Sequence, residues 1–346
     1  MKTMPADPTP APREAAYYDR QADGTVVCRV CPHECRIGEG HHGRCRSRVN
    51  HDGRLWTEAY ARVCALQVDP VEKKPLLHFL PGSRCLSLAA AGCNLSCLNC
   101  QNASISQASP ADVPSRELPP NAVARLAVQT GSLLTAYTYT EPLTWPEYVR
   151  DCACACHATG VRNVLVTAGY INPRPLADLL LHIDAANVDL KSFSDATYRS
   201  VSRARLTPVL DALEQMHASG VWVEVTNLVI PGLNDSPTML HALCTWLASH
   251  GFADRPLHFS RFFPQHRMRH LPPTPVETLL RARSIAWECG LNYVYLGNVS
   301  MPGAEDTCCP HCGRLLLRRT GYLTEPSPGF DGKCPVCGEP IAGVWK

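Results

Sequence analysis

The chain has 346 residues, 45% of them hydrophobic, which is enough to bury a substantial core and suggests one large domain with smaller appendages. A net charge of +2 with 18% charged residues carries no basic excess of the kind that marks a nucleic-acid footprint. No run is long enough for a membrane span, and Met1–Arg20 lacks the apolar core of a secretory leader, so the 19 cysteines predict metal binding in a reducing cytoplasm and not a disulfide scaffold.

Residues 1–22 hold Pro5, Pro8, Pro10 and Pro12 with little apolar surface and read as a disordered tail. Residues 23–84 form a Cys-rich N-terminal module followed by a docked linker. In the module Cys28, Cys31, Cys35 and Cys45 are spaced C-x2-C-x3-C-x9-C, able to close a tetrahedral zinc site or an accessory iron–sulfur cluster. The linker, Val68–Ser83, contains three prolines that predict an extended path, with Lys73 and Lys74 as a solvated pair.

From Cys85 to about residue 303 the chain repeats one unit. Helical stretches end at Gly131, Gly160, Gly220, Gly251 and Gly290, and each glycine precedes an apolar run. Those runs are Leu133–Tyr139, Val161–Thr167, Val221–Ile230, Pro256–Phe262 and Leu291–Gly297, with a further strand at Ala186–Leu190 and a helix near Pro173–His182. Glycine just past a helix end takes the left-handed cap, and β-branched residues after it suit a strand. Thr274-Pro275-Val276-Glu277 reads as a capping box and Asp235-Ser236-Pro237 as a second helix start. With the run before Cys93, six or seven parallel strands alternate with helices, an α/β barrel or partial barrel.

Polar residues break the apolar pattern at strand ends, where such folds place their chemistry. After the first strand comes Gly92-Cys93-Asn94-Leu95-Ser96-Cys97-Leu98-Asn99-Cys100, three cysteines spaced C-x3-C-x2-C with no fourth. Structural zinc wants four ligands, whereas three thiolates on a four-iron cluster leave one iron open. The second strand ends in Thr140-Glu141, where Glu141 is also placed to cap the helix around Pro146. Asp189 and Lys191 lie two apart on one strand, hence on one face, and must be paired with each other or with a ligand. Asn227 and His258 lie on later strands; His258 reads equally as a substrate contact or a hydrogen-bonded core residue. Cys152 and Cys156 share a helix face from which Cys154 points away, and all three read as core fillers.

Residues 304–346 change rhythm. Cys309-Pro310-His311-Cys312 and Cys334-Pro335-Val336-Cys337 are two C-x2-C knuckles about 20 residues apart, the pattern of a zinc ribbon with four closed ligands.

The three-cysteine loop resembles the cluster motif of radical S-adenosylmethionine (SAM) enzymes, with Cys93, Cys97 and Cys100 matching its three ligands. Taken with CPHEC, PLLHFLPGS, YTYTEP, NVDLKSFSD, VIPGLND, LPPTPVE and YVYLGNV, the chain resembles the radical SAM enzymes of the AmmeMemoRadiSam system, relatives of the pyruvate formate-lyase activating enzymes. The resemblance implies a partial (β/α)6-type TIM barrel carrying a 4Fe–4S cluster and SAM. It implies Thr140, Glu141, Asp189 and Lys191 as SAM contacts and a 5′-deoxyadenosyl radical that abstracts hydrogen from a substrate. It also implies an external one-electron reductant of flavodoxin or ferredoxin type, with Memo-like and Amme-like partners. Asn99 stands where the superfamily carries an aromatic residue beside adenine, Tyr139 and Thr140 replace two glycines before the glutamate, and Ala168 replaces an asparagine. Activation of a glycyl-radical enzyme and a non-catalytic metal-binding scaffold are the alternative functions.

Overall fold

The structure, a computed structural model, describes residues 13–346. Residues 1–12 of the expected tail lie outside the described residues. The rest of that tail is ordered. Arg13–Glu14 pairs antiparallel with Arg54–Thr57, and Tyr18–Arg20 pairs with Val26–Cys28. Ala15 supplies the reason, because it is buried with Val26, Val30, Ile37 and Leu55, and its N–H donates to the Leu55 carbonyl at 2.7 Å.

The described chain divides into two compact units. One comprises the residues up to Val68, Cys85–Ser96 and Asn102–Asp184; the other comprises Asp69–Arg84, Cys97–Gln101 and Ala185–Lys346.

In the first unit the N-terminal module consists of two small antiparallel sheets. One turns through Asp52-Gly53, where both residues have positive φ (54° and 66°) between the paired His51 and Arg54, as a two-residue hairpin requires. The module is tied to the α/β part of the unit by Arg48. This residue is 1% exposed, donates to the carbonyls of Ala16 (3.0 Å) and Thr144 (3.2 Å), and forms an ion pair with buried Glu147.

The α/β part runs β1 (Arg84–Ala89), α1 (Pro120–Gln129), β2 (Leu134–Tyr137), α2 (Pro146–His157), β3 (Arg162–Thr167) and α3 (Pro173–Leu180). The strands are parallel in the order β1-β2-β3, with Leu134 opposite Cys85 on one side and Arg162 on the other. All three helices carry proline in the first turn, where its missing N–H costs nothing. Cys152 and Cys156 of α2 are buried as expected, but Cys154, also expected in the core, is exposed, because it points away from the face the other two share.

The second unit continues with β4 (Ala185–Asp189), α4 (Thr207–Ala218), β5 (Trp222–Val229), α5 (Pro237–Leu247), β6 (Leu257–Arg261), α6 (Val276–Glu288) and β7 (Val294–Gly297). Its strands are parallel in the order β4-β5-β6-β7. Ser236 caps α5 by accepting the Met239 N–H at 3.3 Å. The capping box expected at Thr274 does not form. Its hydroxyl donates to the Val229 carbonyl at 2.6 Å and accepts the Phe262 N–H at 3.1 Å, so it joins β5 to the chain after β6.

The linker also departs from expectation. It makes a short 3-10 turn at Val71–Lys73, and Lys74 is 2% exposed, with Asp69 accepting from both Lys74 (2.7 Å) and Lys73 (2.9 Å). The buried carboxylate keeps Lys74 out of solvent without leaving its charge unpaired. The C-terminal segment is a three-stranded antiparallel sheet, Thr307–Cys308, Leu315–Thr320 and Leu323–Pro326. Its Leu316 and Ile341 pack with Leu77, Tyr293 and Tyr295 of the same unit.

Candidate functional site

The three-cysteine loop follows β1. Gly92 has φ 99°, and a Cβ there would stand 2.4 Å from the Cys45 carbonyl oxygen, so the chain enters the loop through a position open only to glycine. The Cys93 sulfur accepts the Leu95 N–H at 3.3 Å. Asn94 is held from two sides: its side chain donates to the Tyr170 carbonyl at 2.7 Å, and its own carbonyl accepts from His33 Nε2 at 2.8 Å, which places the His33 proton on Nε2.

Cys97 and Cys100 belong to the second unit. Between them the Leu98 N–H donates to Val201 (3.0 Å), its carbonyl accepts from the Arg267 N–H (2.9 Å), and its side chain packs with Val201, Ile230, Phe262 and Met268. Burial pushes the Cys97 thiol up, while Lys191 and the Ser202 hydroxyl favour its thiolate.

Lys191 Nζ lies 3.0 Å from Asp189 Oδ2, as the same-face spacing requires, and the Lys191 N–H donates to the Tyr198 hydroxyl at 3.0 Å. Burial alone would lower Lys191; Asp189 and the Cys97 sulfur outweigh it, so the ammonium form is strongly held.

In the first unit Glu141 is 1% exposed and caps the short turn Pro142–Thr144, accepting the Leu143 N–H at 3.2 Å. It also accepts the Ala168 N–H at 2.8 Å and the Thr167 hydroxyl, which ties the end of β2 to the end of β3. Ala168 thus contributes through its backbone at the place where its missing amide had weakened the family template. Thr140 donates its hydroxyl to the Ala90 carbonyl at 2.6 Å. Tyr139 has φ 72°, the conformation glycine adopts freely, at a position where the family motif has glycine.

Among the buried polar atoms of the second unit that have no hydrogen-bond partner among the described residues are Asn99 Oδ1, Ser192 Oγ and Asn227 Oδ1. Asn99 precedes the third cysteine, Ser192 follows Lys191, and Asn227 lies near the end of β5 with its amide donating to the Leu190 carbonyl at 2.6 Å. Ser192 was missed by sequence reasoning, although its adjacency to the Asp-x-Lys pair was a signal. So was Glu224, an acid inside the apolar run of β5. Fully buried, it accepts from His258 Nε2 (2.7 Å) and from the N–H groups of Leu77 (2.9 Å) and His78 (2.8 Å), which makes His258 a hydrogen-bonded core residue.

The two outlying cysteine sets differ in geometry. Cys309, Cys312, Cys334 and Cys337 bring their sulfurs within 4.8 Å of one another, with Cys309–Cys337 and Cys312–Cys334 each at 3.6 Å. Cys28, Cys31, Cys35 and Cys45 instead line a cavity whose wall also includes Arg48 and Asn94. No helix among the described residues is long and apolar enough to cross a membrane.

Residues 88–243 match the family model of the Radical SAM superfamily. The chain is 41% identical over 339 residues to an uncharacterized protein of Methanocaldococcus jannaschii, covering 95% of this chain and 98% of that protein. Over 114 residues it is 32% identical to the benzylsuccinate synthase activating enzyme of Thauera aromatica, 33% of this chain and 34% of that enzyme. The crystal structure of Streptococcus suis SuiB has a similar fold, with a TM-score of 0.50 at 12% identity over 66% of this chain and 52% of that one. Residues 88–243 therefore form a Radical SAM domain, the kind of domain whose cofactors are a 4Fe–4S cluster and SAM.

Proposed function

We propose that the protein is a radical SAM enzyme in which Cys93, Cys97 and Cys100 hold a 4Fe–4S cluster and a bound SAM is cleaved to abstract hydrogen from a substrate. When bound, cluster and cofactor supply one-electron reductive cleavage of the sulfonium to a 5′-deoxyadenosyl radical and methionine. The observation that carries the reading is the three-cysteine loop within the matched domain. The residues present fit such a group. The Cys93 sulfur accepts a backbone N–H, Lys191 and Ser202 favour the Cys97 thiolate, and Asn99, Ser192 and Asn227 keep buried polar atoms unpaired in the same unit as Cys97 and Cys100.

Each side chain has a role under this reading. Lys191, held charged by Asp189, binds the methionyl carboxylate, and Asp189 orients it beside the ribose. Thr140 and Glu141 would hold the methionyl amino group, with Glu141 fixed by its donors from Leu143, Thr167 and Ala168. Asn99 offers an amide oxygen where an aromatic residue would otherwise meet adenine, and an amide oxygen accepts from an exocyclic amine. The four C-terminal cysteines hold structural zinc as a ribbon, and the N-terminal four hold a further metal centre. An external flavodoxin- or ferredoxin-like protein donates the electron in the cytoplasm, and the substrate is another protein or a small molecule supplied by Memo-like and Amme-like partners.

Similarity to an activating enzyme favours a second reading, in which the hydrogen is taken from a glycine of a partner enzyme. Anaerobic reconstitution followed by SAM and dithionite tests the shared chemistry. The expected result is 5′-deoxyadenosine, with a SAM-dependent change in the paramagnetic signal of the reduced cluster. The absence of both the product and the spectral change would overturn both readings.

A further inference from the structure

Two sets of four cysteines stand outside the three-cysteine loop, and their geometries call for different metals. In a tetrahedral zinc site with Zn–S bonds of about 2.3 Å the sulfurs lie about 3.8 Å apart. The C-terminal set meets that requirement, with sulfur pairs at 3.6 Å and all four within 4.8 Å. Among the described residues it is the group of three or more potential ligands that does so, hence no three of Cys28, Cys31, Cys35 and Cys45 close up around a single ion. They line one cavity together, at separations wider than a single ion bridges.

Other features of this cavity suit a larger anionic group. Cys28, Cys31 and Cys45 are buried, so their thiols have no ready exchange with solvent. The Arg44 N–H lies 3.4 Å from the Cys35 sulfur, and the Ser47 hydroxyl lies 3.4 Å from that of Cys45. Such donors stabilise thiolates and tune clusters. Arg48 in the wall brings a buried positive charge.

We infer that Cys28, Cys31, Cys35 and Cys45 bind a second iron–sulfur cluster. Unlike the cluster of the three-cysteine loop it has a thiolate for each of four sites, which leaves no iron open to SAM. Its cavity adjoins the neighbours of Cys93 in the same unit. Asn94, adjacent to Cys93, forms part of the cavity wall, the Asn94 carbonyl accepts from His33 between Cys31 and Cys35, and Gly92 abuts the Cys45 carbonyl. That adjacency suits the exchange of one electron with the first cluster. The inference does not rest on the catalytic reading.

The test uses the full chain with Cys93, Cys97 and Cys100 all changed to alanine, reconstituted anaerobically with iron and sulfide. The variant is expected to hold iron and acid-labile sulfide in equal amounts, at about half the iron of the unaltered chain if both centres are four-iron clusters. Adding Cys28→Ala and Cys45→Ala is expected to abolish that iron while zinc at the C-terminal set is retained, which reports that the chain still folds. An iron-free triple variant that keeps its C-terminal zinc would overturn the inference. So would a second equivalent of zinc that disappears with Cys28→Ala. Failure of the catalytic reading would look different, because the unaltered chain would then form no 5′-deoxyadenosine while the triple variant still bound iron.

Discussion

Lys191 and Asp189 meet at 3.0 Å across the end of β4, and the Cys97 sulfur favours the same ammonium that the carboxylate holds. The pair is partly exposed, with side chains 26% and 38% accessible, so it adds little to folding. Its value lies in presenting a fixed cation. Lys191→Met is expected to weaken SAM binding by about tenfold or more, since a hydrogen bond to a charged group is worth roughly 1.5–3 kcal/mol. Thermal stability should change little. Equilibrium binding of SAM to the reconstituted protein checks this, and an unchanged affinity would remove Lys191 from the site.

Arg48 and Glu147 are the opposite case, an ion pair 1% and 4% exposed that fastens the N-terminal module to α2. Removing one partner leaves an uncompensated buried charge, so Arg48→Met should cost about 3–5 kcal/mol. Combining it with Glu147→Gln should recover part of the loss. Unfolding midpoints of the two single variants and the double variant measure the coupling; additive losses would show that the two residues act separately.

The C-terminal cysteines are predicted to hold zinc independently of iron. Cys309→Ala and Cys334→Ala should each lose one equivalent of zinc and retain the iron of the unaltered chain. Metal analysis after anaerobic purification decides it, and unchanged zinc would sink the ribbon.

His78 and Glu224 give the second unit a pH dependence of definite sign. Burial lowers His78 to about 4, and its environment agrees: Nδ1 donates to the Ala342 carbonyl at 2.6 Å, leaving Nε2 to accept from the Tyr295 hydroxyl. Between its unfolded value near 6.5 and about 4, the unfolded chain binds a proton that the folded chain refuses, so stability falls as pH falls through that window. Glu224 adds in the same direction at lower pH. Burial would raise it, but His258, His78 and the Leu77 N–H hold its carboxyl below the ordinary value, and its contribution is lost as pH falls through that lowered value. Denaturant midpoints should therefore drop from pH 6.5 to 4, and His78→Asn should flatten the upper part of the decline. A midpoint independent of pH would contradict this.

Most of the regular structure was legible because its signals are local. Gly131, Gly160, Gly220 and Gly290 all take positive φ at helix ends, and the apolar runs after them become β2, β3, β5 and β7 within a few residues. The cysteine sets were legible for the same reason, since their spacings are local. Where a side chain had two partners to choose from, the sequence was silent. Thr274 looked like a cap and instead joins Val229 to Phe262, while Lys74 looked solvated and is buried on Asp69.

By itself, then, the sequence determined the alternation of strands and helices, the three-cysteine loop and the two outlying cysteine sets, all of which follow from residue types a few positions apart. Only the tertiary structure decided that Glu141 ties Thr167 and Ala168 together, that Glu224 gathers Leu77, His78 and His258, and that one cysteine quartet is closed while the other lines a cavity. Those outcomes depend on groups brought together from tens to more than a hundred residues away, where burial selects the partner that leaves no charge or donor unsatisfied.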